Sequence, residues 1–425
     1  WDMNKNTIAS IAEVNPPLPK HIDNKDAVSF VTMADVSESG RLLRTSTKEF
    51  GDVKSGFTRF AENDVLFAKI TPCMENGKGA LVRNLTNGIG CGSTEFHVLR
   101  AKHKNSSAFI YQVTKDIDFR LKAEMKMTGS AGQQRVPASF FYEHLMFLPS
   151  PAHQRKIARI LTTVDNIIEK TESAIKKYKA IKQGMMHDLF TRGIDVKTGK
   201  LRPCYEDAPE LYKETELGMV PKGWDLGVLN DYCISFINGG TPSTKNAAYW
   251  QGNISWVTGA DFLETFEIGL IRRKITNEAV KNSATHVIHK GNILLVTRTG
   301  VGKLAIAPTD IAISQDITGL ILDSDQAIIN YFYYYFQRLV EGFKKVNQGT
   351  SINGIIRDDL INCPIHVPKT TEQTMVAAKL HHIDNRLKIE RQYLNKQIKL
   401  KQALMQDLLT GKKEVTPDSE DFDNE

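Results

Sequence analysis

The sequence predicts an α+β chain built twice over. Two tandem mixed α/β domains are each followed by a long helix, and the two helices pair as an antiparallel coiled coil about a pseudo-twofold. Three observations lead there. The octapeptide "SFVTMADV" at 29–36 returns as "SWVTGADF" at 255–262, five of eight letters in place and about 226 residues on. An apolar run after a polar turn, "ENDVLFAKI" (62–70), returns as "KGNILLVTR" (290–298), each followed by a loop rich in Gly and Lys. Finally, a proline-free heptad pattern of about 35 residues closes each half, as a coiled-coil helix requires.

In chain order the reading is a first domain at 1–149, a first long helix at 150–193 and a polar linker at 194–223. A second domain follows at 224–368, then a second helix at 369–411 and an acidic tail at 412–425, expected to be disordered. The domains show short strands, frequent Gly, Asn and Asp turns and one helix each, "SSAFIYQVTKDIDFRLKAEM" and "INYFYYYFQRLVEGFKK", which fits a mostly antiparallel sheet. Positions Ile157, Leu161, Val164, Ile168, Thr171, Ile175, Tyr178, Lys182, Met185 and Leu189 form the first seam. Adding 219 to each number gives the second: Val376, Leu380, Ile383, Leu387, Glu390, Leu394, Gln397, Lys401, Leu404 and Leu408. The seam is apolar at most positions, and two of its polar breaks recur at the same places, the lysines Lys182 and Lys401 among them. At ~1.5 Å per residue each helix should reach roughly 50 Å.

Composition narrows the function classes. No apolar run approaches the ~18 residues of a membrane span, and no basic segment with an apolar run behind it opens the chain, so no signal peptide is expected. The five cysteines are never two or three apart, which argues against a zinc site and fits a reducing cytoplasm. The net charge of +6 hides an asymmetry: the last twelve residues hold six acids and no Lys or Arg, so the body is more basic than the total. Such a body permits nucleic acid as a partner.

At "FAKITPCMENGKGA", "GCGSTEFHVLR", "GSAGQQRV", "GMVPKGWDLGVLNDY" and "GGTPSTKNAAYW", and at the helix-ending "DLFT" and "DLLT", the chain resembles the DNA-specificity (S) subunit of type I restriction-modification systems. The likeness runs over essentially the whole length. It implies two target-recognition domains, each reading one half of an asymmetric bipartite DNA target. It also implies a non-catalytic phage-defence adaptor. Two methyltransferase (M) subunits would bring S-adenosylmethionine and methylate adenine N6, and restriction (R) subunits would add ATP- and Mg-dependent cleavage. The long helices would be the docking surface, with Lys176, Lys177, Lys179, Lys388, Arg391, Lys396 and Lys399 on their outward faces. The helix pair would fix the gap between half-sites, since major-groove faces recur about every 34–36 Å.

Candidate DNA contacts are loop residues whose side chains can read base edges or hold phosphates. In the first domain they are Lys69, Thr71, Glu75, Asn76 and Lys78; Ser93, Thr94 and Glu95; and Gln133, Gln134 and Arg135. In the second they are Thr241, Ser243, Thr244, Lys245, Tyr249 and Trp250; Arg298, Thr299 and Lys303; and Asn347, Gln348, Thr350, Ser351 and Asn353. Turn chemistry alone also favours many of these residue types. Gly239, Gly240, Gly300, Gly302 and Gly349 would let backbone approach phosphates.

The enzyme motifs are incomplete. "NPPL" at 15–18 comes near an amino-methyltransferase site, but Leu18 stands where an aromatic should stack on a flipped base. "TRTGVGKL" at 297–304 lacks the first glycine and the final hydroxyl of a phosphate loop. The rival reading is a stand-alone DNA-binding regulator or a coiled-coil scaffold without enzyme partners.

Overall fold

The structure is a computed structural model, and it describes residues 5–130, 132–263, 265–298, 301–346 and 357–421. The chain forms two compact units, one of residues 1–173 with 391–425, the other of residues 174–390. Each unit holds one sheet domain and half of each long helix. The order domain, helix, linker, domain, helix therefore describes the chain, while the compact units cut across both helices.

The first unit contains β1 (Ala12–Val14), β2 (Ala27–Val31), β3 (Ser46–Glu49), β4 (Thr58–Ala61), β5 (Val65–Ala68), β6 (Gly79–Leu81), β7 (Ile89–Gly92) and β8 (Phe96–Ala101). They form two four-stranded sheets, β1-β8-β5-β6 and β3-β2-β7-β4. All pairings are antiparallel except β2 with β7. The strands are short and bounded by turns, and β5 is buried along its whole length, as its unbroken apolar run requires.

The second unit repeats this strand by strand. Its strands are β9 (Cys233–Asn238), β10 (Ile254–Val257), β11 (Arg273–Ile275), β12 (His286–Ile288), β13 (Ile293–Val296), β14 (Leu304–Ile306), β15 (Ile311–Ile313) and β16 (Ile317–Leu322). Their sheets are β9-β16-β13-β14 and β11-β10-β15-β12, the first unit's orders with eight added to every number. Again one pair, β10 with β15, is parallel. A further ladder ties each domain's start to its end: Lys5–Thr7 with Leu145–Phe147, and Asp225–Val228 with Pro364–Val367.

The long helices run slightly shorter than expected, and one expected helix is broken. The single helix read over 106–125 is two, α1 (Ser107–Lys115) and α2 (Ile117–Glu124). Asp116 between them is extended, and its carboxylate caps the second helix by accepting from the Phe119 amide at 3.2 Å. The long helices are α3 (Pro151–Thr191) and, after α4 (Ile329–Val346), α5 (Thr370–Leu408).

Most seam residues bury as the heptads require, but Met185 and Leu404 are half-buried and their neighbours Met186 and Met405 take the core place. In the first unit Ile157 and Leu161 of α3 share a core with Met405 and Leu408 of α5. In the second, Met186 and Leu189 of α3 share one with Val376 and Leu380 of α5. The two lysines that break the seams are answered by aspartates. Lys401 donates to Asp165 at 2.6 Å, and Lys182 meets Asp384 at 2.7 Å. Adding 219 turns Asp165 into Asp384 and Lys182 into Lys401, so the second unit makes the first unit's contact with the helix roles exchanged. A glutamine from each domain joins its pair: Gln112 of α1 donates to Asp165 at 2.9 Å, and Gln337 of α4 accepts from Lys182 at 3.1 Å.

The acidic end also departs from the disorder expected of it, as far as the described residues run. Asp418 accepts from Lys156 at 2.6 Å and pairs with Arg159, while Asp421 is buried and accepts from Arg159 at 2.9 Å. These cations on the first turns of α3 offset charges that would otherwise keep the tail solvated.

Candidate nucleic-acid interface

The repeated octapeptide makes the same turn in both units. After β2, Thr32 and Asp35 close one turn of 3-10 helix, the Asp35 carboxylate accepting from the Thr32 amide at 2.8 Å and its hydroxyl at 2.6 Å. After β10, Asp261 accepts from the Thr258 amide and hydroxyl at 2.8 and 3.1 Å. This is a capping box, satisfying donors at the start of a short turn. Each aspartate also holds an arginine: Arg44 Nε at 2.6 Å in the first unit, Arg273 Nη2 at 2.6 Å in the second. The Arg44 bond, with help from Thr32, keeps the Asp35 carboxyl below its ordinary range although burial opposes it. A lysine from the Gly-rich loop then pins each turn. Lys78 Nζ donates to the Met33 carbonyl at 2.9 Å and Lys303 Nζ to the Phe262 carbonyl at 3.0 Å.

Beside the pinned turn of the first unit, three loops distant in sequence converge. The Lys69 amide donates to the Glu95 carbonyl at 2.9 Å and the Thr71 amide to the Gln134 carbonyl at 3.0 Å. Arg135 forks onto Glu95, Nε and Nη2 each 2.9 Å from a carboxylate oxygen. Those bonds hold the Glu95 carboxyl below its usual range. Lys69, Thr71, Ser93, Thr94, Glu95, Gln133, Gln134 and Arg135 are thereby gathered on one surface, with Thr94, Gln133 and Gln134 exposed. The Thr71 hydroxyl donates to Glu75, and exposed Asn76 donates to Glu38 at 3.2 Å. Lys78 is part of the frame, its ammonium spent on the turn.

In the second unit Thr241, Ser243, Thr244 and Lys245 are exposed on the loop after β9, and Arg298 is exposed just past β13. The Thr297 amide donates to the Asp316 carbonyl at 2.8 Å, the counterpart of Lys69 and Glu95. Tyr249 and Trp250 pack on the domain core instead, Trp250 edge-on to Trp256 with ring centroids 5.1 Å apart. Gly239 and Gly240 serve close packing within the protein: a Cβ would lie 2.2 Å from the Ile313 carbonyl oxygen in one and 2.5 Å from Ala284 in the other. Thr299, Asn347, Gln348, Thr350, Ser351 and Asn353 lie outside the described residues, as do Gly300 and Gly349. On the long helices Lys176, Lys177, Lys179, Lys388, Lys396 and Lys399 are exposed and Arg391 is half-buried.

The near-motif at the start of the chain serves the fold. Asn15 of "NPPL", though exposed, has its side chain bonded to its own domain, Oδ1 accepting from the Val98 amide at 2.9 Å and Nδ2 meeting His97 at 3.2 Å. His97 in turn sits 2.8 Å from the Val136 carbonyl, and burial holds its imidazole below the ordinary histidine range. Among the described residues no group of three or more His, Cys, Asp or Glu could hold a metal, and no helix is long and apolar enough to cross a membrane.

Two framed surfaces of polar loops, each joined to half a helix pair, agree with what sequence comparison finds. A family model described as the type I restriction modification DNA specificity domain matches residues 2–177 and 221–400. The chain belongs to this family. It is a specificity component, not an enzyme, and its two sheet domains are target-recognition domains. The EcoEI specificity subunit of Escherichia coli is 26% identical over 88% of this chain and 76% of its own length. The MjaIX specificity subunit of Methanocaldococcus jannaschii is 34% identical over a shorter match, 41% of each chain. The fold of the type I restriction-modification S subunit from M. genitalium superposes with a TM-score of 0.59 at 14% identity, covering 98% of both chains.

The arginines held by the octapeptide aspartates, Arg44 and Arg273, were absent from the candidates read off the sequence. The signal was present, since the matched letters include Thr and Asp at capping-box spacing. What those aspartates hold lies nine and twelve residues further on, in segments that share no motif.

Proposed function

We propose that this specificity chain reads an asymmetric bipartite DNA target, one half per recognition domain, and recruits methyltransferase and restriction subunits to it. S-adenosylmethionine, ATP and Mg belong, on this reading, to those partners. The carrying observation is that two domains share one frame yet differ in the loops set into it. The sheet order, the Thr–Asp turn and the lysine pin recur, whereas "TPCMENGKGA" and "TGVGKLAIA" present different side chains. One frame with two faces suits a reader of two unlike half-sites, because base contacts specify while the scaffold positions. In the first domain the exposed Gln133 and Gln134 are the foremost base-reading candidates, since Gln pairs with adenine, while Arg135, forked onto Glu95, braces the surface beside them. In the second domain Arg298 is foremost, and the exposed loop from Thr241 to Lys245 supplies the next candidates. The exposed lysines of α3 and α5 are the proposed docking surface for methyltransferase subunits.

The test is to purify the tagged chain from its own cells and to map adenine methylation in that genome with and without the gene. Expected are a co-purifying methyltransferase and N6-methyladenine at a two-part asymmetric motif that vanishes on deletion. A chain that purifies alone and leaves methylation unchanged would favour the stand-alone regulator.

A further inference from the structure

Each recognition domain carries a pair of cations on or just before its outer strand. β3 and β11 are the equivalent edges of their sheets, and all four residues of β3 are exposed. Just before β3 comes Arg44, and within it Lys48; β11 holds Arg273 and Lys274. Arg44, Lys48 and Arg273 are held in place from beneath. Arg44 gives only its Nε to Asp35, and its side chain stays 78% exposed, so both terminal nitrogens are without a protein acceptor among the described residues. Lys48 Nζ lies 4.2 Å from the centre of the Phe30 ring. In the second domain Arg273 does both tasks, bonded to Asp261 while its guanidinium lies 4.8 Å from the Trp256 ring. Phe30 and Trp256 occupy the same place in the repeated octapeptide. Lys274 beside it is exposed.

Charge on an edge strand also discourages pairing with another sheet. That need is met by any solvated lysine. It gives no reason for an aspartate, buried in the first domain and half-buried in the second, and an aromatic face to fix the cations, and fixing them does reduce what is lost on ordering when an anion binds. The strands also adjoin the turns pinned by Lys78 and Lys303, which belong to the candidate reading loops. Between the domains the loops differ and the edge device does not, and what two different half-sites share is the phosphate backbone.

We propose that β3 and β11, through Arg44 and Lys48 in one domain and Arg273 and Lys274 in the other, contact the DNA sugar-phosphate backbone and set each domain's register on the duplex. This rests on the DNA-reading function proposed above. The experiment measures affinity of the full chain for a labelled mixed-sequence duplex across a salt series. It compares Arg44→Gln/Lys48→Gln, Arg273→Gln/Lys274→Gln and the single Lys274→Gln, which disturbs no internal bond, with melting temperatures as the folding control. Each double variant should flatten the log–log salt slope by about 2, and Lys274→Gln by about 1, with affinity roughly tenfold weaker or more near 0.1 M salt. The motif recovered from a randomised duplex pool should stay unchanged. An unaltered slope in folded variants overturns the proposal, as does a lost half-motif at constant slope, or a parent chain that binds no duplex. A flattened slope with no motif enriched by the parent counts against the two-half reading and leaves the backbone contact standing.

Discussion

Asp165 shows how much one side chain can carry. It lies between Lys401 at 2.6 Å and Lys115 at 3.2 Å, and accepts from Gln112 as well. Burial works to raise its carboxyl, and the two ammonium groups outweigh burial, leaving it below the ordinary range. Lys401 is pushed down as well, to about 8, by burial and by its neighbour Lys115. Replacing Asp165 with Asn strands two cations in a half-dry site. The expected loss is about 3 kcal/mol, read as a lower denaturation midpoint, because breaking one side of a buried pair costs more than the pair contributes. Replacing Lys182 with Met together with Asp384 with Leu should cost far less in the second unit. The lysines were legible in the sequence as recurring polar breaks in two seams. Their partners were not, because Asp165 sits beside the seam rather than in it, and which flank of a helix faces its neighbour depends on where that neighbour lies.

At the scale of elements, both long helices were legible because heptads leave a signature over many turns, and their burial follows it. The break between α1 and α2 was hidden, since one extended residue disturbs a helical pattern very little and Asp116 is common inside helices as well as at their starts. The heptads also permit a clean test of spacing. One heptad inserted between Asp165 and Lys182, with another between Asp384 and Lys401, leaves the pair inside each unit in register. Under the proposed function the gap between half-sites should then lengthen by about three base pairs, from ~1.5 Å per helical residue and ~3.4 Å per base pair. Methylation mapping reads the new gap directly, and an unchanged gap would remove the helices as the ruler.

Across the whole molecule, two units with one sheet topology should fail independently. Arg298→Ala is expected to blur one half of the target and leave the other half as it was, measured by sequencing DNA selected from a randomised pool. Loss in both halves would contradict one reader per half-site. Duplication was legible from the octapeptide alone; the convergence of loops was not, since it depends on pairings such as Thr71 with Gln134, 63 residues apart in the chain. The lysine pins carry a last consequence. Lys78 and Lys303 grip carbonyl oxygens, and every amino acid supplies one, whatever its side chain. Met33 can therefore drift to another residue without loosening its domain's frame. A protein whose fastenings ignore side-chain identity can acquire new vocabulary on its reading surface while its grammar stays fixed, and the rate at which such chains change target need not be limited by folding.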